Sequence, residues 1–109
     1  MTRPAMTTFD DREHAFESKF AHDEEMRFRA QARRDKLLGL WAAGLLGKTG
    51  ADADAYAKDV VKSNFEEAGD EDVFRKVSGD LGDKASPATI RTRMVELMAE
   101  AKRQIMDEA

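Results

Sequence analysis

The stretch Lys36-Leu37-Leu38-Gly39-Leu40-Trp41-Ala42-Ala43-Gly44-Leu45-Leu46-Gly47 is the most apolar in the chain and holds its only tryptophan. At 3.6 residues per turn, Leu38, Trp41, Ala42 and Leu45 share one helical face, and Leu37 and Leu40 widen it on either side. A face that broad has to be covered from several directions, so the sequence places the centre of the fold here. The chain ahead of the stretch is highly charged, and the chain behind it keeps helical spacing.

Behind the stretch, Gly44 and Gly47-Lys48-Thr49-Gly50 offer a helix C-terminus, where glycine takes the left-handed conformation without a steric cost. A second helix is predicted from Asp52 or Ala53 to Ala68, with Ala53, Tyr56, Ala57, Val60, Val61, Asn64 or Phe65, and Ala68 inward and Gly69 closing it. A short helix capped by Asp70 turns Val73, Phe74, Val77 and Leu81 inward and stops at Gly82. The last helix opens with Ser86 as N-cap and Pro87 at its first position, and aligns Ile90, Met94, Leu97, Met98, Ala101 and Ile105. That stripe is the expected main partner of Leu38, Trp41 and Leu45. No segment alternates with a period of two, and no Asn-Gly or Asp-Gly hairpin turn is present. The expected fold class is all-α: a small four-helix bundle with an N-terminal flexible or extended helical segment.

Ahead of the stretch there are two helix starts. Asp10-Asp11-Arg12-Glu13 has the form of a capping box, and Asp23-Glu24-Glu25 sets acidic residues at the positive end of a new helix. The sequence allows two helices jointed near Ala21 and His22, or one long rod. The pairs Asp23 with Arg27 and Glu25 with Arg29 sit four residues apart, in the order that favours a solvated helix. In a helix, Phe9, Phe16 and Phe20 lie within roughly 40° of one another as a narrow aromatic stripe. On the same face follow Asp23, Arg27, Gln31 and Arg34 before the apolar stretch resumes. A rod apolar at both ends and polar between cannot bury both ends in one small core. The phenylalanines therefore either fold back to complete the bundle or belong in a groove on another molecule.

Composition sets the outer bounds. The 109 residues suit one domain with a single modest core. A net charge of −4, with acidic and basic residues interspersed, argues against a nucleic-acid partner, whose binding needs many phosphates neutralised. Without cysteine, disulfides, thiolate metal sites and cysteine nucleophiles are excluded. No apolar run approaches the roughly 20 residues that span a bilayer, and a cytoplasmic location is expected. Residues 1–5 look like an unstructured leader before Met6.

Three patterns are read structurally. Gly47-Lys48-Thr49 lacks the first glycine of a phosphate loop, because Ala42 stands there, and it follows a helix where a strand is required. His14 and His22 lie among carboxylates without the spacing of a closed ligand set, so no metal and no cofactor are expected. Arg27, Arg29, Arg33, Arg34 and Lys36 are interleaved with Asp23, Glu24, Glu25 and Asp35, and read as a solvated, salt-bridged face. No nucleophile sits with a base and an orienting group, and no enzyme activity is expected.

Met6-Thr7-Thr8-Phe9-Asp10-Asp11-Arg12-Glu13, then Glu17-Ser18-Lys19-Phe20-Ala21-His22-Asp23, then Leu37-Leu38-Gly39-Leu40-Trp41-Ala42-Ala43, together resemble the zeta-subunit family. These are small inhibitor proteins of the F-type ATP synthase in alphaproteobacteria. The resemblance runs from Met6 onward and includes the helix breaks at Gly47 and at Ser86-Pro87. It implies a four-helix protein whose N-terminal segment, here about residues 7–20, enters the catalytic sector between α and β subunits, near the rotor, and blocks rotation in the hydrolytic direction.

On that footing residues 1–21 form the inhibitory segment, mobile when free, and residues 22–109 the bundle. Phe9, Phe16 and Phe20 supply the buried rings, while Asp10, Asp11, Arg12, Glu13, Glu17 and Lys19 orient the docking. The expected partners are the α, β and rotor subunits. The free protein is expected to be monomeric and to reach the inner membrane only peripherally, through the synthase. The competing reading is a helical adaptor or nucleotide-sensing module that acts through the bundle surface.

Overall fold

The computed structural model describes residues 23–64 and 70–108. They form four α-helices: α1 Glu24–Leu45, α2 Gly50–Ser63, α3 Glu71–Leu81 and α4 Pro87–Glu108, with one 3₁₀ turn at Gly82–Lys84. The described residues contain no strand, in line with the all-α reading. None of these helices is long and apolar enough to cross a membrane.

α1 starts afresh at Glu24. Asp23 is extended, at φ −118° and ψ 107°, and its carboxylate accepts a hydrogen bond from the Met26 amide, which satisfies a donor that a helix start leaves open. α1 therefore does not continue backward through Asp23; the joint expected near Ala21 and His22 lies outside the described residues. With Asp23 engaged as a cap, Arg27 lies 3.8 Å from Glu24 rather than pairing with Asp23. At the other end the Lys48 amide bonds the Ala43 carbonyl at 2.9 Å and the Gly47 amide bonds that of Gly44 at 3.2 Å, with Gly47 at φ +78°. That pair of bonds is a Schellman C-cap, so Gly47-Lys48-Thr49 closes a helix.

The buried core joins all four helices: Leu38, Ala42 and Ala43 of α1, Tyr56 and Val60 of α2, Val73, Val77 and Leu81 of α3, and Ile90 and Met94 of α4. Its centre is turned by about one residue from the expected face. Trp41 is only half-buried, with Arg93 over its ring at 5.4 Å, and Leu45 is 41% exposed. The reason is Gly39. A Cβ built there would come within 2.6 Å of the Ala57 Cα, so α1 and α2 touch backbone to backbone, and the Gly39, Ala42 and Ala43 side of α1 faces inward. Small residues set the approach, and the bulky ones flank it.

α2 runs from Gly50 to Ser63, shorter at its end than expected; residues 65–69 lie outside the described residues. In α3, Asp70 holds the N-cap position but makes no capping bond. Ser86 does cap α4, accepting from the Thr89 amide at 3.1 Å. Of the expected α4 stripe, Ile90, Met94, Ala101 and Ile105 are buried, and Leu97 and Met98 half-buried. A second cluster, Met26 and Ala30 against Ile105, joins the start of α1 to the end of α4, so these two helices run antiparallel. Arg33 ties them at the surface, donating to Gln104 at 2.8 Å and to both carboxylate oxygens of Glu108.

Candidate functional site

Along α1, Met26, Ala30, Arg34 and Leu38 recur every four residues and therefore share a face. Arg34 is carried into the interior with its neighbours and is 1% exposed; Asp35 beside it is fully buried. Both had been expected on a solvated face. The Arg34 Nε donates to Asp35 Oδ1 at 2.6 Å, and another guanidinium nitrogen donates to Asp70 Oδ1 at 2.8 Å. Arg34 thus takes the carboxylate that would otherwise cap α3, and pins the start of α3 to the middle of α1.

Burial raises the Asp35 carboxyl to about 6, although the Arg34 charge and hydrogen bond, and weakly Asn64, favour its ionised form. Asn64, at the end of α2, approaches without a well-formed bond: Asp35 Oδ2 and Asn64 Oδ1 both lack a hydrogen-bond partner. Burial opposes the Arg34 charge too, but the hydrogen bond to Asp70 and the Asp35 carboxylate outweigh it and raise its pKa. A second strut joins α2 to α3, where the Tyr56 hydroxyl donates to Asp80 at 2.8 Å. Burial and then that carboxylate push the Tyr56 phenol well above its usual range.

Beside the Arg34 knot runs a groove of about 470 Å³ along α4. Met94, Val95, Met98 and Ala99 are its apolar lining, and Arg34 and Asp70 line it too. Arg91 and Lys102 bound it along the helix. Arg91 is itself bridged to Glu71 at 2.9 Å and stacked 3.7 Å over the Phe74 ring. Val95 is 73% exposed.

The nine residues expected to dock on a partner, Phe9, Asp10, Asp11, Arg12, Glu13, Phe16, Glu17, Lys19 and Phe20, lie outside the described residues, as do His14 and His22. Among the described residues there is no group of three or more His, Cys, Asp or Glu side chains placed to hold a metal ion. The sequence reading missed the burial of Arg34 and Asp35 and missed the groove. The signal for Arg34 was available: Ala30 and Leu38 flank it four residues away on each side. For the groove, Val95 and Ala99 lie one position beyond the buried stripe and carry no mark of their own.

The described residues form a small all-α bundle whose buried Arg34 is tied across helices to Asp70, with a groove open along α4. The chain belongs to the ATPase inhibitor subunit zeta family, whose model matches residues 6–104. Among solved structures, one determined by solution NMR is 58% identical, covering 77% of this chain and 99% of its own, with a TM-score of 0.72. Curated proteins give no match.

Proposed function

We propose that the protein inhibits an F-type ATP synthase by inserting the segment of residues 7–20 at a catalytic α/β interface, where it blocks rotation in the direction of ATP hydrolysis. The observation that carries this reading is the family match, which begins at Met6 and so takes in the whole Phe9, Phe16 and Phe20 stripe. The capped start of α1 at Asp23 supports it, because the chain ahead of Asp23 is not a continuation of the bundle's first helix.

Residues 1–21 are then the working segment and the four helices its anchor. Insertion buries rings of about 150–250 Å² each in a cleft that opens during the catalytic cycle. The gain is offset by ordering the segment, so binding is tightest to a synthase stopped in one rotary state. Asp10, Asp11, Arg12, Glu13, Glu17 and Lys19 steer the approach. The partners are the α, β and rotor subunits, which hold the protein in the cytoplasm at the inner membrane. Adding the protein to a cognate synthase tests this: hydrolysis should fall while ATP synthesis under a proton-motive force is spared. Equal loss of both, or of neither, contradicts it.

A further inference from the structure

The two clusters that hold the bundle together are built from different side chains. The larger, which joins all four helices, is made mostly of leucine, isoleucine, valine and alanine with Tyr56, and Met94 is its one buried methionine. The smaller, which joins the start of α1 to the end of α4, has three thioethers among five side chains: Met26, Met98 and Met106 pack with Ala30 and Ile105. Neither leucine nor an aromatic ring belongs to that cluster. The seam between the two helices therefore depends on methionine for most of its apolar bulk.

These sulfurs differ in cover. Met26 is 7% exposed, and the Arg29 guanidinium donates to its sulfur at 4.0 Å. Met94 is 4% exposed. Met98 and Met106 are only half-buried, and Met98 also lines the open groove along α4. Two of the seam's three thioethers thus combine a packing role with access from solvent. The seam also bears on the start of α1, because the Met26 amide is the one that donates to the Asp23 cap.

We propose that Met98 and Met106 are a site of reversible oxidation by hydrogen peroxide, and that their sulfoxides open the seam between α1 and α4 while the four-helix core stays closed. At each residue the thioether sulfur attacks one peroxide oxygen. The O–O bond breaks as the S–O bond forms, the sulfur gives up two electrons, and the hydroxide released takes the proton of the sulfur-bound hydroxyl and leaves as water. Methionine sulfoxide reductases reverse the change. A sulfoxide is polar and accepts hydrogen bonds, and none of the five side chains of the cluster can donate one to it. The seam then exchanges apolar packing for an unpaired acceptor, and the start of α1 opens locally. Arg33, bonded to Gln104 and Glu108 near the surface, does not replace that packing.

The test is to treat the full chain with hydrogen peroxide, follow each methionine by peptide mass spectrometry, and measure amide hydrogen exchange on the oxidised protein. Met98 and Met106 should oxidise severalfold faster than Met26 and Met94. Exchange across residues 26–33 should then rise severalfold, with Tyr56, Val60, Val73 and Val77 unchanged, and methionine sulfoxide reductases should restore the starting rates. Met98→Leu/Met106→Leu conserves volume closely enough to fold, keeps Met1, Met6, Met26 and Met94, and should show no rise under the same treatment. Oxidation of Met98 and Met106 no faster than that of Met94, oxidation without faster exchange in α1, faster exchange in all four helices, a rise that the reductases do not reverse, or an equal rise in the leucine variant each overturns the proposal.

Discussion

Arg34 and Asp35, neighbours on one helix, form an ion pair 2.6 Å long with side chains no more than 2% exposed. A buried pair of this kind stabilises little by itself, since the desolvation of both charges offsets most of their attraction. Its structural effect is to gather three helices, because Arg34 also reaches Asp70 at the start of α3 and Asp35 lies against Asn64 at the end of α2.

Asp35 should make stability fall as pH rises. Its carboxyl is raised from 3.8 to about 6 by burial, so between those values the native state keeps a proton that the unfolded chain has released. The stability this confers is present at low pH and is lost through the folded pKa. A difference of that size corresponds to about 3 kcal/mol. Asp35→Asn cannot titrate, so it should gain on the wild type by about 2–3 kcal/mol between pH 4 and pH 7 in urea unfolding. A constant difference across that range would show that Asp35 is not held in its neutral form.

Arg34→Met should cost about 3–5 kcal/mol at pH 7, because it leaves the Asp35 carboxylate buried and without its cation. Combining it with Asp35→Asn should restore much of the loss, so the two substitutions are strongly non-additive. Additive losses in the double-mutant cycle would mean that the pair is not coupled.

Gly39→Ala tests the helix crossing. In an exposed helix this change gains roughly 0.5–1 kcal/mol. Here the new methyl meets the Ala57 backbone, and overpacking should turn the gain into a loss of about 1–3 kcal/mol. Gly44, with open space at the same distance, is the control: Gly44→Ala should be neutral or stabilising in thermal melts. Identical behaviour at the two sites would rule out the close approach.

Most of the bundle was legible because helix signals are local. Ser86-Pro87, Gly47 and Asp23 each announce a cap through their own chemistry, and the 3.6-residue spacing of Tyr56, Val60, Val73, Val77, Ile90 and Met94 does not depend on partners. What escaped was decided between helices. Glycine at position 39 resembles a breaker until Ala57 lies against it, and the resulting rotation moves Trp41 and Leu45 outward. Arg34 and Asp35 resemble surface charges until Asp70 and Asn64 are brought up from 29 or more positions away. Asp70 in turn resembles a cap until Arg34 claims its carboxylate. The segment expected to dock on a partner, outside the described residues, could be read only as a pattern of rings and charges.

On the proposed reading the phenylalanine stripe of residues 9–20 does the inhibiting and the bundle holds it. The most direct measurement is ATP hydrolysis by a cognate F-type synthase titrated with the wild-type chain and with Phe16→Ala/Phe20→Ala, both checked for native helix content. The wild type should inhibit, and the double variant, with its bundle still folded, should not. Full inhibition by a folded double variant would contradict it.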